Sequence, residues 1–195
     1  MKPAALGFAP HSGWAAVVAL GPGPALLHRG RLEMTDGTLE GAAQPYHALE
    51  GQPLPQAARR LAGYQAAAAR LARAGLRRVV AALEEQGYAP RAVGILASSG
   101  RRGSSLAAIL AAHPLIHTAD GEHFRDALNS AASACGLPVT RVPLKELPGQ
   151  AAAAIRRPLP ALEDTLKAMG RAAGPPWTAD QKSAALLAWM LVSGP

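Results

Sequence analysis

The chain has 195 residues, a formal net charge of +7 and a hydrophobic fraction of 49%. A chain this long and this apolar can bury a core, which excludes a disordered polar tail protein. Its single cysteine, Cys135, excludes a disulfide-stapled secreted module. The longest C-terminal apolar run, residues 184–192, is too short to span a bilayer, and we expect one soluble, cytoplasmic domain over residues 1–195.

The N-terminal part of the chain predicts strands. Apolar runs bounded by turn residues predict three of them, at residues 4–9, 14–20 and 25–34. Because the turns between them are short, the three strands should be antiparallel neighbours. Residues 35–56 contain several glycines and prolines without periodicity, which predicts a long loop or lid.

The rest of the chain predicts helices that alternate with two further strands. Helices are expected at 57–86, 106–112, 120–135, 159–169 and 179–192, and strands at 91–97 and 137–142. Gly63 and Gly75 are candidates for a break in the first helix. Asp120 is predicted to cap its helix, because Pro114 disfavours helix before it. The two later strands follow helical crossovers, so they should be parallel to the first strand.

Four segments carry a resemblance to known proteins. LGFAPHSG, residues 6–13, is similar to a first strand and turn of the form G-I-D-P-G-S. Residues 88–96 resemble the strand Q-P-D-Y-F-A-I-E, residues 137–139 the start of a fifth strand, and residues 179–186 the acidic helix A-D-A-A-D-A-L-A. Together they resemble the Holliday-junction resolvase branch of the ribonuclease H-like superfamily. The resemblance implies an α/β fold in which helices flank a mixed five-stranded sheet of order 3-2-1-4-5.

The resemblance also implies where a nuclease would hold its metals, because such enzymes bind two divalent ions with clustered carboxylates. In this chain the first-strand acid falls on Ala9, and the fourth-strand acid falls on Leu96 or Ala97. The two acids of the last helix fall on Asp180 and Ser183. Only Asp180 is a carboxylate, so we expect the inherited nuclease reaction to be absent and no cofactor to be needed. The helix dipole alone also favours an acid at the position of Asp180.

A rearranged acid cluster would preserve the reaction. Glu122, Asp120 or Glu33 could join Asp180 in binding Mg²⁺ or Mn²⁺, with Asp180 and Glu122 as the candidate catalytic residues. This alternative predicts metal-dependent cleavage that Asp180→Asn abolishes.

The loop SSGRRGSS, which follows the fourth predicted strand, is the strongest local signal for a ligand. Its candidate phosphate-binding residues are Ser98, Ser99, Arg101, Arg102, Ser104 and Ser105. A loop between a strand and a helix start can offer backbone N–H groups, hydroxyls and guanidinium groups to a phosphate. The alternative is a surface turn whose serines cap the next helix.

A basic face is predicted on the first long helix. Four of its arginines fall within an arc of about 60°, namely Arg59, Arg70, Arg73 and Arg77. Residues 57–102 contain nine arginines and two glutamates, an excess equal to the net charge of the whole chain. This face could follow a nucleic-acid backbone. It could also be a solvated helix face in a chain whose arginine usage reflects a GC-rich genome.

The segment HPLIHTADGEHFRD, residues 113–126, is dense in polar residues. His113 and His117 have the i, i+4 spacing of a helical metal-binding pair, although Pro114 argues against that helix. The simpler interpretation is a helix start capped by Asp120, with Arg125 paired to neighbouring acids. No ligand spacing in the segment is diagnostic of a metal.

These observations favour a catalytically degenerate, bacterial-type protein that binds nucleic acid through its basic face, as an accessory in DNA repair. One alternative is the metal-dependent nuclease with rearranged carboxylates. Another is a protein–protein scaffold in which the last helix, with Trp189, packs against a protein partner or a second copy of the chain. No membrane partner is expected.

Overall fold

The computed structural model describes residues 1–98, 100 and 105–194. The strands are β1 (Lys2–His11), β2 (Trp14–Leu20), β3 (Leu26–Glu33), β4 (Tyr88–Ala97) and β5 (Val139–Pro143). The helices are α1 (Leu54–Glu85), α2 (Leu106–Leu110), α3 (His113–Ala134), α4 (Leu147–Ile155), α5 (Leu159–Ala173) and α6 (Ala179–Ser193). A short 3₁₀ turn at His47–Leu49 interrupts the loop before α1.

The five strands form one mixed sheet of order β3-β2-β1-β4-β5, as the resemblance implies. β1 pairs antiparallel with β2, and β2 pairs antiparallel with β3. β1 and β4 are parallel, and so are β4 and β5, because the chain returns to the same end of the sheet through helices. The carboxyl ends of these three parallel strands therefore meet at one edge.

The outer strands of the sheet, β3 and β5, differ from the inner ones. β3 is partly exposed and carries the charged pair Arg31 and Glu33, whose Nε and Oε1 atoms lie 2.5 Å apart. Arg29 of β3 donates hydrogen bonds of 2.7 to 2.8 Å to the carbonyls of residues 173, 174 and 176. β5 has only five residues and ends at Pro143.

Two helical layers cover the sheet, because side chains of each strand point alternately to opposite faces. On one face, Phe8 packs with Leu76 of α1 and Phe124 of α3. On the other face, Ala9 packs with Leu187 of α6 and with residues of α4 and α5. Each layer has its own buried apolar core, which supplies the main stabilisation of the fold.

Two glycines let α6 lie unusually close to the sheet. A methyl group on Gly7 would overlap the carbonyl oxygen of Ala184, and one on Gly94 would overlap the side chain of Leu187. Gly7 and Gly94 are direct neighbours on β1 and β4. This close packing fixes the first turn of α6, and with it Asp180, at the carboxyl ends of the parallel strands.

The structure corrects two predictions about helix boundaries. α1 is continuous through Gly63 and Gly75, and the lack of a side chain at Gly75 makes room for Leu32 of β3. α3 begins at His113, because Pro114 lies in the first turn, where a helix needs no N–H donor. Asp120 is therefore buried in the middle of α3 and does not cap the helix.

The last helix is interior to the fold. Trp189 is 3% exposed, and it packs with other buried residues of α6 against the sheet. The prediction that Trp189 faces a protein partner is therefore wrong, because this surface is already covered by the chain itself. Within the described residues, no helix is both long and apolar enough to cross a membrane.

Candidate functional site

A cleft of about 630 Å³ opens where β1, β4 and β5 end. Ala9, Leu96 and Asp180 line it together, so three positions assigned to nuclease acids by resemblance do converge. Ala9 and Leu96 have apolar side chains, however, and only Asp180 supplies a carboxylate. The other polar residues of the cleft wall are His11, Ser98, Arg125 and Lys145.

Asp180 is held by its helix and by a histidine. It lies in the first turn of α6, which Thr178 and Gln181 close with a reciprocal capping box. Its Oδ1 atom is 3.1 Å from Nε2 of His11, and the His11 ring stacks on Trp14 with 4.4 Å between ring centroids. The helix dipole thus favours an acid at this position, and the His11 ring gives the carboxylate a neighbour.

Arg125 of α3 places a guanidinium group at the floor of the cleft. Its Nε donates to the Leu96 carbonyl at 2.8 Å, and its Nη1 donates to the Gly121 carbonyl at 2.7 Å. Burial lowers the pKa of Arg125, an effect that the nearby Glu122 opposes, but the guanidinium remains charged. A fixed positive charge therefore lies beside the strand position where the resemblance implies a metal-binding glutamate.

Glu122 is buried next to the cleft and is bound by neutralising partners. Ser98 donates to its Oε1 at 2.7 Å, and Arg141 donates to its Oε2 at 3.1 Å. Nε of Arg125 is 3.8 Å from the same carboxylate, and Arg141 also donates to Asp126 at 2.7 Å. The carboxylate of Glu122 is thus engaged by two arginines, a setting unfavourable for a cation.

Asp120 and Glu33, the other acids considered for a rearranged cluster, do not line the cleft with Asp180. Asp120 accepts a hydrogen bond from the Tyr46 amide at 2.6 Å, and Glu33 pairs with Arg31 on β3. Among the described residues, His, Cys, Asp and Glu side chains bring three ligand atoms within 4.8 Å of one another in one place only, formed by His47, His113 and His117. Neither Asp180 nor Glu122 belongs to that group.

The predicted phosphate loop is described only at its ends and at Gly100. Ser98 lines the cleft and donates to Glu122, while Ser105 accepts a hydrogen bond from the Ala108 amide at 3.2 Å and caps α2. The remaining predicted residues, Ser99, Arg101, Arg102 and Ser104, lie outside the described residues.

The predicted basic face is present as a set of exposed arginines on α1. Arg59, Arg70, Arg73 and Arg77 are all exposed. The last three line a shallow groove whose other walls are alanines of α1. Nη2 of Arg70 is 3.2 Å from a carboxylate oxygen of Asp36, which leaves the groove dominated by Arg73 and Arg77.

Sequence reasoning missed Arg125, Lys145 and His11 as residues of the cleft, and it missed His47 beside the histidine pair. A signal for two of them was available, because His11 and Lys145 follow or end predicted parallel strands, whose carboxyl ends form ligand sites in open α/β sheets. Arg125 and His47 reach their neighbours through contacts distant in sequence, for which a local pattern gives no signal.

The architecture is similar to solved structures of a Holliday-junction resolvase. RuvC of Thermus thermophilus in complex with a Holliday junction substrate aligns with a TM-score of 0.50 and 16% identity, over 98% of this chain and 94% of that chain. A second Thermus thermophilus RuvC structure aligns with a TM-score of 0.49 and 18% identity, over 97% and 93% of the two chains. No protein-family model and no curated protein matches the chain. The first likeness, with the sheet order, shows that this chain has the ribonuclease H-like fold of RuvC.

Proposed function

We propose that the chain binds the phosphate backbone of nucleic acid without cutting it, as a catalytically degenerate relative of the resolvases and an accessory in DNA repair. The observation that carries the proposal is the charge of the cleft. Its wall carries the cations Arg125 and Lys145 and one carboxylate, Asp180, while Glu122, which does not line the cleft, pairs with Arg125. A cleft of this composition attracts phosphate oxygens and disfavours a pair of divalent cations.

The fold supports the choice of nucleic acid as the partner. The similar RuvC structure is described in complex with a Holliday junction substrate. In this chain Lys145 is exposed at the cleft rim, and Arg125 is held in place by two backbone carbonyls. An exposed ammonium and a guanidinium in one cleft suit a charged backbone more than a specific base edge.

The arginines of α1 extend the basic surface. Arg73 and Arg77 are exposed and lie one helical turn apart, so both guanidinium groups can contact phosphates of one strand. Contacts of this kind give binding that depends on salt and is nearly independent of sequence. We therefore expect similar affinities for different sequences of the same DNA structure.

The test is fluorescence anisotropy with a labelled four-way junction, a duplex and a single strand, each at several salt concentrations. Lys145→Glu should weaken binding and reduce the salt slope by about 1 or more, whereas Lys167→Glu, on α5 and remote from the cleft, should not. The double variant Arg73→Glu/Arg77→Glu should act in the same direction, with Arg171→Glu as its control. Absence of salt-dependent binding at low salt would refute the proposal.

The nuclease alternative is separated from this one by a cleavage assay. Incubation of the same DNA with Mg²⁺ or Mn²⁺ should leave it intact, since Asp180 shares the cleft wall with cations. Metal-dependent cleavage that is present in the wild-type chain and lost in Asp180→Asn would instead establish a rebuilt catalytic centre.

A further inference from the structure

Three histidines converge between the loop before α1 and the start of α3. His47 belongs to the 3₁₀ turn at 47–49, and His113 and His117 lie one helical turn apart on α3. Their nearest ring nitrogens all lie within 4.8 Å of one another. The ring centroids are 4.5 to 5.2 Å apart, and the rings meet edge to face, without stacking. The three rings therefore lie close enough together for one nitrogen of each to reach a common ion.

Carboxylates lie beside two of these rings, and one of them fixes the ring orientation. Asp120, which is 4% exposed, accepts a short hydrogen bond from Nδ1 of His47 and a second one from the Tyr46 amide. Oε1 of Glu50 lies 3.8 Å from Nδ1 of His113. A proton held on Nδ1 leaves the lone pair on Nε2, so Asp120 prepares His47 as an Nε2 ligand, whereas Glu50 lies too far from His113 for a hydrogen bond. Carboxylates hold metal-binding histidines in this way, and they increase the basicity of the ring.

The distance between the two helical histidines matches metal coordination. Nε2 of His113 and Nε2 of His117 are 3.1 Å apart. Two nitrogens bound to one tetrahedral zinc ion at about 2.0 to 2.1 Å would be about 3.3 Å apart. At this distance one Nε2 donates a hydrogen bond to the other, and an ion that displaced this proton would need a shift of only a few tenths of an ångström to bind both nitrogens. His113 and His117 are exposed, so an ion can enter from solvent.

We propose that His47, His113 and His117 form a binding site for a zinc-like transition-metal dication. Three imidazole ligands favour such ions over Mg²⁺ and Ca²⁺, which prefer oxygen ligands. Water fills the fourth position, because the two helical histidines lie at the surface. The site is separate from the phosphate-binding cleft, and it does not depend on the function proposed for that cleft.

The site joins the loop before α1 to α3, two segments that already meet through the hydrogen bonds of Tyr46 and His47 to Asp120. Leu49 packs with Leu61 and Tyr64 of α1, whereas His47 reaches across to α3. Zinc would add a further link between the loop and α3, through one ligand from the loop and two from the helix. Ordering of the loop is therefore the expected structural effect of the metal.

The experiment is a calorimetric titration of the chelator-stripped full chain with Zn²⁺, compared with the double variant His113→Ala/His117→Ala. These side chains are exposed, so their loss should leave the fold intact, which circular dichroism verifies. Binding of one ion per chain is expected, and the double variant should lose at least 100-fold in affinity. His28→Gln, on β3, is the matched control and should bind as the wild type does.

Two further measurements test the number of metal ligands and the ordering of the loop before α1. Co²⁺ in the wild-type chain should give the intense visible absorption of a four-coordinate ion, and the double variant should not. Amide hydrogen exchange in residues 42–50 should slow when Zn²⁺ is added. Equal affinity in the wild type and the double variant, or the absence of one-to-one binding, would overturn the site, and unchanged exchange would overturn the link to the loop.

Discussion

Two buried carboxylates on α3 are used in different ways. Asp120 and Glu122 are two residues apart on the helix, so their side chains point to different neighbours. Asp120 meets a histidine and a backbone amide, whereas Glu122 meets a serine and two arginines. The side chains that contact each carboxylate therefore determine what that carboxylate can bind. A carboxylate that orients a histidine prepares a cation site, whereas one already paired with two arginines is not available to bind a cation.

The largest effect is expected from variants that displace α6. This helix carries Asp180 of the cleft but no residue of the histidine cluster, so its displacement should alter the cleft alone. Gly7→Ala should lower the free energy of unfolding by about 3 kcal/mol, because the backbone carbonyl of Ala184 cannot yield to the added methyl group. Gly94→Ala should cost less, since the side chain of Leu187 can repack. Urea denaturation measures both. Equal costs would show that the close approach of α6 is not set by the backbone contact.

Removing the neutralised carboxylate tests the cleft side of the comparison directly. Glu122→Ala should cost about 2 kcal/mol of stability, because it leaves Arg125 and part of Arg141 without their buried counter-charge. Asp126→Ala is the matched control, since Asp126 is exposed and pairs with the same Arg141. Its effect should stay below about 1 kcal/mol. A larger effect for Asp126 than for Glu122 in thermal denaturation would reverse the assignment.

On the histidine side, Asp120→Asn should weaken Zn²⁺ binding about 10- to 100-fold, because a neutral amide neither fixes the His47 tautomer nor increases its basicity. Glu50→Gln should have a smaller effect, since Oε1 of Glu50 lies 3.8 Å from His113 and both side chains are exposed. Calorimetric titration measures each. If Asp120→Asn binds as tightly as the wild type, the carboxylate does not prepare the ligand.

The last prediction concerns the pH dependence that His123, next to Glu122 on α3, gives to stability. Burial lowers the pKa of His123, and the charges of Asp120 and Asp126 only partly oppose this. The unfolded chain takes up this proton near pH 6.5 while the folded chain does not, so stability should fall below that pH, by at most about 1.4 kcal/mol per pH unit. His123→Gln should flatten the pH dependence of the melting temperature between pH 7 and pH 5. Parallel curves would contradict the prediction.

The sheet could be predicted from sequence because its signals are local. Each strand is a short apolar run between turn residues, and the lengths of the connections decide which strands are antiparallel or parallel. The start of α3 could not be inferred from Pro114 alone, because a proline is unfavourable inside a helix and favourable in its first turn. Pro114 is therefore compatible with a helix that starts just before it and with a helix that starts after it, until its position in the helix is known.

The sites were harder to predict than the strands because they rest on contacts distant in sequence. His47 and Asp120 are 73 residues apart, and Ser98 and Glu122 are 24 apart. The i, i+4 spacing of His113 and His117 indicated two members of the histidine cluster, but His47 comes from a loop without periodicity. The resemblance placed Ala9, Leu96 and Asp180 at one cleft, whereas Arg125 enters it from a helix of the opposite layer.

The two edge strands of the sheet, β3 and β5, affect how one chain can associate with another. An unpaired outer strand can accept a strand from another molecule, unless charge, proline or short length prevents it. β3 presents a charged pair and is tied to the segment after α5 through Arg29, and β5 stops after five residues at a proline. Strand addition is therefore disfavoured at both ends, which protects the chain against fibril-like growth and directs any self-association to its helical surfaces.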